Sequence, residues 1–221
     1  MSAPAQVETG WVAAEVEQEL PGLRLLAREV TVARRTPLTG SSPPEIEARM
    51  REMSSRFRGA RAISLRREAI PAAYRVFFRH IGLDPDVVRP PIEAAVLERM
   101  LRGAFLTGGL LEDVLLIALL DTSVPVWALD ADSLEGPLGI RTSREAEPLG
   151  RSSDAPLLPG GRLVVADSDT ALAILFEKVP APHAARARTS RLMLFAIQVE
   201  GVPTLFAEEA LWSCATALEQ P

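Results

Sequence analysis

The amino-acid sequence predicts an α+β fold, because helical patterns cluster before residue 121 and strand patterns follow it. The chain has 221 residues, of which 48% are hydrophobic and 24% are charged. This composition suits one domain of generous size, or two small lobes that share a core, and it excludes a disordered chain. The longest strongly apolar run, at residues 114–120, is far shorter than the roughly 20 residues that cross a bilayer, so no membrane segment is expected.

The first predicted elements are an early strand and an amphipathic helix. The strand covers residues 20–32, and a loop follows at residues 35–44. Ser42 is the predicted cap of the helix, and Pro43 stands at its first helical position. Four apolar residues at spacings of four, three and four form the predicted buried face, namely Ile46, Met50, Met53 and Phe57.

Three further helices are predicted before residue 122. They lie at residues 71–81, from Pro91 to Gly103, and at residues 110–121. The third is apolar nearly all round, so it should lie buried between layers, with Glu112 and Asp113 as its exceptions. The residues expected to face inward in the first two helices are Ala73, Phe77, Ile81, Ile92, Val96 and Met100.

The pattern changes to strands after Thr122. Residues 143–161 hold little apolar sequence and are predicted to form a loop. A last helix at residues 206–219 carries Leu205, Glu209, Trp212 and Thr216 at helical spacing. The candidate strands are residues 124–129, 138–141, 162–166, 170–177 and 191–200.

Charge is distributed unevenly along the chain. The net charge is −5 and the isoelectric point is about 5.2, whereas a typical nucleic-acid-binding domain is basic. Residues 49–80, however, hold nine arginines against Glu52 and Glu68, a net charge of +7, which leaves −12 for the rest of the chain. Such a segment can steer a polyanion to one face of the molecule, or it can simply solvate a helix surface.

Cysteine and histidine usage argues against disulfides and metal sites. Cys214 is the only cysteine, so no internal disulfide is possible, and the N-terminus lacks the pattern of a secretory signal. Both observations predict a cytoplasmic protein. The two histidines, His80 and His183, stand alone and give no zinc spacing, and no glycine pair fits a phosphate loop. Neither a metal nor another cofactor is therefore expected.

Residues 74–141 hold an ordered series of short motifs. The motifs are Tyr74-Arg75, Gly82-Leu83-Asp84, Arg89-Pro90, Glu93, Arg99, Asp113, Val124-Pro125-Val126, Asp130, Gly136 and Arg141. This series resembles the B3/4 domain, a module that bacterial phenylalanyl-tRNA synthetases carry in their beta subunit, where it binds tRNA and edits mischarged tRNA. The resemblance extends over roughly residues 20–201.

The resemblance implies a fold, a domain organisation and a class of partner. The fold would be a layered β/β/α sandwich, with an extension at residues 1–19, the B3/4-like domain at 20–205, and a C-terminal helix at 206–221 packed on that domain. The partner would be tRNA or aminoacyl-tRNA, with hydrolysis of mischarged tRNA in trans as the implied activity. The candidate substrate-binding residues are Arg75, Arg89, Glu93, Arg99, Asp113 and Asp130, and the candidate tRNA contacts are Arg56, Arg58 and Arg61.

The sequence also departs from the family where the pocket is expected. Leu116 and Gly109 stand where relatives carry asparagine, and Pro91 stands where many carry serine. Residues 174–180 replace a segment that holds two tryptophans in many relatives. The losses remove polar and aromatic groups that could hold a substrate, so no catalytic residue is assigned.

Asp113 is predicted to be buried and paired with an arginine, because a buried carboxylate needs a partner. That pair would be either a core salt bridge or part of a pocket. Two other functions stay open for the chain as a whole. One is a non-catalytic binding module that kept the fold, and the other is a small protein that binds an amino acid or nucleoside.

Overall fold

The computed structural model describes residues 6–33 and 37–219. Within them the chain forms seven α-helices and ten strands, which confirms the α+β class. Short 3-10 turns lie at Leu65–Arg67 and Ala131–Ser133. The elements in chain order are β1 (Glu8–Thr9), β2 (Trp11–Val12), α1 (Ala14–Glu19), β3 (Arg24–Thr31), α2 (Pro44–Arg56), α3 (Ala60–Ser64), α4 (Ala69–His80), α5 (Pro91–Arg102), α6 (Leu110–Thr122), β4 (Val126–Asp130), β5 (Gly139–Thr142), β6 (Glu147–Pro148), β7 (Leu157–Leu158), β8 (Leu163–Ala166), β9 (Ala171–Ile174), β10 (Arg191–Gln198) and α7 (Thr204–Glu219).

The strands form two four-stranded sheets and one short hairpin. The first sheet has the order β1-β3-β10-β4, and all of its pairs are antiparallel. The second sheet has the order β2-β5-β8-β9, in which only the β2–β5 pair is parallel. The hairpin of β6 and β7 lies inside residues 143–161, which were predicted to be a loop. Antiparallel pairing explains why helices and strands do not alternate along the sequence.

Residues 8–19, set apart above as an extension, contribute to both sheets. β1 pairs with β3 and β2 pairs with β5, so the chain passes from one sheet to the other at Gly10. A Cβ atom at Gly10 would lie 2.4 Å from the carbonyl oxygen of Leu138, so a side chain does not fit there. Backbone bonding continues through the crossing, where the Gly10 N–H donates to the Leu25 carbonyl at 2.8 Å.

Three of the helices stack outward from the first sheet. α7 lies against β3 and β10, α6 lies against α7, and α2 lies against α6. α7 buries small and aliphatic residues, whereas the stripe noted in the sequence from Leu205 to Thr216 is the exposed one. None of the helices in the described ranges is both long and apolar enough to span a bilayer.

Helix α6 serves two hydrophobic cores, which explains why it is apolar nearly all round. Leu110, Val114 and Ala118 face the main core between the first sheet and α7. Ile117 and Leu120 face a second core built by the helices. The second core also contains Met50, Met53 and Phe57, which confirms three residues of the predicted buried face of α2.

Two local predictions are wrong. Ser42 does not cap α2, which begins at Pro44 with Pro43 as its cap, because the Ser42 hydroxyl is bonded elsewhere. Met100 is exposed, and Arg99 is the buried residue on the last turn of α5. Arg99 is drawn inward because its Nη2 donates to the Ser54 carbonyl at 2.9 Å and its Nε donates to the same oxygen at 3.2 Å.

Candidate functional site

Arg89 lies on the walls of three clefts, which makes the start of α5 the centre of the candidate site. We call them the Arg162 cleft, the Trp127 cleft and the Met100 cleft, after one lining residue of each, with volumes of about 510, 340 and 260 Å³. The Arg89 side chain is exposed, and no carboxylate of the described residues forms a salt bridge with it. An unpaired guanidinium at the junction of three clefts is suited to bind an anion.

Arg75 and Glu93 form an ion pair between α4 and α5, and Glu93 shares the lining of the Met100 cleft with Arg89. Arg75 Nη1 donates to Glu93 Oε2 at 2.8 Å, and Nη2 donates to Asp86 Oδ1 at 2.7 Å. These bonds tie α4 to α5 and to the loop between them. The hydrogen bond with Asp86 raises the pKa of Arg75, and the same bond lowers the pKa of the exposed Asp86. Burial raises the pKa of Glu93, whose Oε1 is buried without a hydrogen-bond partner in the described ranges.

Asp113 is buried, as predicted, but its predicted pairing with an arginine is wrong. Its Oδ2 accepts a hydrogen bond from the Ser42 hydroxyl at 2.6 Å, and its Oδ1 accepts one from the Gly108 N–H at 2.9 Å. The carboxylate therefore joins the segment before α2 to the loop before α6. Two donors and the nearby N-terminus of α6 stabilise the charge, so no arginine is needed. Asp113 lines none of the three clefts.

The remaining two substrate-binding candidates also hold structure together. Arg99 is buried and binds the Ser54 carbonyl. Asp130 ends β4, where its Oδ2 accepts from the Thr189 hydroxyl at 2.9 Å and its Oδ1 accepts from the Asp132 N–H at 3.2 Å. Of the six candidates, only Arg89 and Glu93 line the three clefts.

An aromatic cluster that sequence reasoning missed lies between two of the clefts. Phe176 is surrounded by Tyr74, Phe77, Phe78 and Trp127, with ring centroids 5.1 to 5.9 Å from its own. Trp127 in turn stacks on Phe195, with centroids 5.5 Å apart and planes at 15°. The one sequence signal for Phe176 was its position in residues 174–180, the segment in which the resemblance had implied tryptophans.

Two of the three single-residue replacements noted in the sequence, Pro91 and Leu116, line the Trp127 cleft, whereas Gly109 does not. Leu115, Leu119 and Trp127 complete its apolar lining. Its charged groups are Arg89, Glu177 and Lys178, all of which are exposed. This cleft is therefore apolar inside and charged at its mouth, which favours a ligand with an apolar body and a charged end.

The arginines of residues 49–80 divide into paired and unpaired groups. Arg49 and Arg56 both bind Asp121, at 3.0 and 3.2 Å, so their charges are partly neutralised. Arg58 and Arg61 are exposed and form no salt bridge within the described chain; Arg61 lies 5.0 Å from the ring centre of Phe57. Three further exposed arginines of the segment are unpaired in the same sense, namely Arg66, Arg67 and Arg79. We call the exposed residues Arg58, Arg61, Arg66 and Arg67 the arginine face; Arg66 and Arg89 both line the Met100 cleft.

Of the one cysteine and the two histidines, only His80 lines one of the three clefts. Cys214 is buried under α6, and burial raises the pKa of its thiol to about 12, so the reactive thiolate is scarce. His183 is buried away from the clefts, and His80 is exposed at the edge of the Arg162 cleft. Within residues 6–33 and 37–219, no three His, Cys, Asp or Glu side chains are grouped to hold a metal ion.

Comparison with known proteins adds one partial similarity. No model of a known protein family matches the chain. The chain is 35% identical over 88 residues to the phenylalanine–tRNA ligase beta subunits of two Xylella fastidiosa strains, Temecula1 and 9a5c. The match covers 40% of this chain, and the matched region spans about a tenth of the length of each relative. The chain therefore contains a region related to a domain of a tRNA ligase subunit.

Proposed function

We propose that this protein is a B3/4-type module that binds tRNA or aminoacyl-tRNA. The observation that carries the proposal is the 35% identity over 88 residues to a subunit of a tRNA ligase. The packing of the first sheet between α7 and the second sheet supports a layered β/β/α arrangement of that type.

The arginine face supplies the chemistry for RNA. Arg58, Arg61, Arg66 and Arg67 lie close together in sequence on the connection from α2 to α4, and all are exposed. Phosphate contacts from such residues release counterions and give affinity without reading sequence. Arg66 and Arg89 share the Met100 cleft, so a strand bound along the arginine face would lead toward the clefts at the start of α5.

Hydrolysis of mischarged tRNA in trans is the extended form of this proposal. Ester hydrolysis needs a positioned water and a group that stabilises the developing oxyanion. Arg89 is the one substrate-binding candidate with an exposed cationic group in the clefts. Leu116 and Pro91 line the Trp127 cleft with apolar atoms, which argues that binding is retained more readily than catalysis.

The test is charge reversal on the arginine face. In the double variant Arg58→Glu, Arg61→Glu, tRNA binding measured by fluorescence anisotropy should weaken, and the salt dependence should flatten by about 0.7–0.9 per lost phosphate contact. The matched control is Arg186→Glu, Arg188→Glu, which makes the same change in net charge at two exposed arginines before β10.

Two results would refute RNA binding at this face. One is an equal loss in both double variants, which would assign the effect to net charge alone. The other is the absence of tRNA binding by the wild-type protein even at low salt. Deacylation of a panel of mischarged tRNAs by the same proteins then tests hydrolysis separately, because a binding-competent protein that leaves every ester intact is a binding module only.

A second candidate function is the binding of a small molecule. The Trp127 cleft favours this function, because the cleft is apolar inside and neither Arg58 nor Arg61 lines it. This alternative is supported if the protein binds small aromatic or amino-acid ligands and does not bind tRNA.

A further inference from the structure

Phe176 has a backbone conformation that is unusual for its size. Its φ is 64°, in the left-handed region that bulky residues rarely adopt. In the described chain, the other non-glycine residues with positive φ are Ser123 and Ala146, which have small side chains. Strain of this kind persists where the surrounding structure enforces it, and it is concentrated at ligand-binding and switch positions.

The strained turn holds the Phe176 ring between two clefts. The turn follows β9 and is fixed by two backbone bonds, from Leu175 N to Leu163 O at 3.0 Å and from Glu177 N to Ile174 O at 3.1 Å. Phe176 lines both the Arg162 cleft and the Trp127 cleft. Phe78 belongs to the first and Trp127 to the second, and their ring centroids lie 5.1 and 5.7 Å from that of Phe176. The ring is therefore part of the partition between the clefts.

The surroundings of the ring are suited to a planar aromatic group. Tyr74, Phe77, Phe78 and Trp127 present edges and tilted faces to it. Pairs of this geometry stabilise one another beyond simple apolar burial. Any planar ring of similar size would find the same walls if the Phe176 side chain moved out.

The charges around the ring favour an anionic ligand. Arg89 lines both clefts and forms no salt bridge with a described carboxylate, and Lys178 lines the Trp127 cleft. Two carboxylates line the two clefts. Glu177 is paired with Arg162, whose Nη2 donates to Glu177 Oε1 at 2.9 Å, whereas the exposed Glu19 lines only the Arg162 cleft. The net effect is an aromatic hollow with an unpaired guanidinium at its rim.

We propose that the position of the Phe176 ring is a binding site for a planar aromatic ring that carries an anionic group, and that Phe176 fills this site in the unliganded protein. The ligand displaces the ring and joins the two clefts, and Arg89 binds its anion. The inference requires no RNA; it rests on the second candidate function, small-molecule binding, and names the ligand class and the position of that site. A nucleotide and an aromatic carboxylate share this chemistry, and the test separates them.

The central experiment is calorimetric titration with two probes, adenosine 5′-monophosphate and 3-phenylpropionate. Wild type should bind at least one of them weakly, since its own ring competes. Phe176→Gly removes the ring and accepts the positive φ, so it should bind the same probe roughly tenfold tighter or more. Arg89→Gln should abolish binding in both backgrounds. The preferred probe identifies the ligand as a nucleotide or a carboxylate.

The controls distinguish a specific ligand-binding site from a cavity that the truncation of any buried ring would create. Phe105→Ala opens a cavity in the second core, against Phe57, where no such site is proposed, so it should leave probe binding at the wild-type level. Toluene, which has no charge, should gain no Arg89-dependent affinity. Binding to Phe176→Gly that survives Arg89→Gln would overturn the proposal, because it would describe a generic apolar cavity.

If Phe176→Gly does not fold, probe binding to the wild-type protein and to Arg89→Gln tests the proposed site. Binding of either probe at millimolar concentration that is lost in Arg89→Gln supports the site. No binding of either probe to wild type overturns it. This outcome is distinct from failure of tRNA binding, which is measured with different ligands and with variants of Arg58 and Arg61.

Discussion

Replacing Asp113 with alanine should lower the free energy of unfolding by about 3 kcal/mol. The buried Asp113 carboxylate accepts hydrogen bonds from the Ser42 hydroxyl at 2.6 Å and the Gly108 N–H at 2.9 Å. A hydrogen bond to a charged group contributes about 1.5–3 kcal/mol, and a buried donor left without a partner costs a similar amount. Ser42 is buried and would be stranded, whereas Gly108 is exposed and its N–H can bind water. The expected loss of about 3 kcal/mol therefore corresponds to the full cost of the bond from Ser42 and part of the cost of the bond from Gly108.

Urea denaturation followed by circular dichroism measures this free energy directly. For a chain of this length, 3 kcal/mol corresponds to a fall in Tm of about 6–12 °C. Glu112→Ala is the matched control, because it removes the neighbouring exposed carboxylate and should change stability by less than about 0.5 kcal/mol.

A double-mutant cycle tests the proposed partner. Ser42→Ala alone strands one carboxylate oxygen, and the combined variant removes both groups, so the two effects should be non-additive by more than about 0.5 kcal/mol. The reasoning is refuted if Asp113→Ala melts with the wild type, or if the two substitutions simply add.

Two further predictions concern buried charge. Burial, followed by the nearby charge of Arg151, lowers the pKa of His183, so stability should be full above the unfolded pKa of about 6.5 and should fall as the pH drops below it. Thermal melts between about pH 7.5 and 5 should show this loss in wild type but not in His183→Gln, and parallel curves would contradict it. Arg141→Met should cost about 3–5 kcal/mol in urea titrations, because it strands the buried Glu147 carboxylate that Arg141 Nη1 binds at 2.8 Å; a loss below about 1 kcal/mol would contradict it. The hydrogen bond from Arg141 lowers the pKa of Glu147, so this contribution should be present above the unfolded pKa of about 4.3 and be lost as the pH falls through the folded value.

The candidate site was only partly predictable, because the type of a residue does not determine whether its side chain is buried or which partner it binds. Arg75, Arg89 and Arg99 are equivalent by sequence, yet one is locked between two carboxylates, one is exposed at three clefts, and one binds a backbone carbonyl. The same holds for Arg56, a candidate tRNA contact, which shares Asp121 with Arg49. Contacts made only in the folded chain, or the lack of one for Arg89 among the described residues, decided each of these outcomes.

Phe176 shows the limit of pattern reading most clearly. Residues 170–177 have the composition of a strand, but β9 ends at Ile174 and the chain turns with positive φ at Phe176. No glycine or asparagine marks the turn. The ring position depends on four aromatic residues that come from α4 and β4, which only the folded chain brings together.

The sequence by itself determined the elements whose physics is local. The apolar periodicity of α2, the all-round apolar surface of α6 and the β-rich C-terminal half each follow from side chains a few residues apart, and the structure has them where they were expected. Tertiary structure alone decided the register of the two sheets, the use of residues 8–12 in both, the hydrogen-bond partners of Asp113 and the exposure of Arg89 at the clefts. The reason is that a buried polar group takes whichever donor or acceptor the packing brings within hydrogen-bond distance, and that choice is made between residues far apart in the chain.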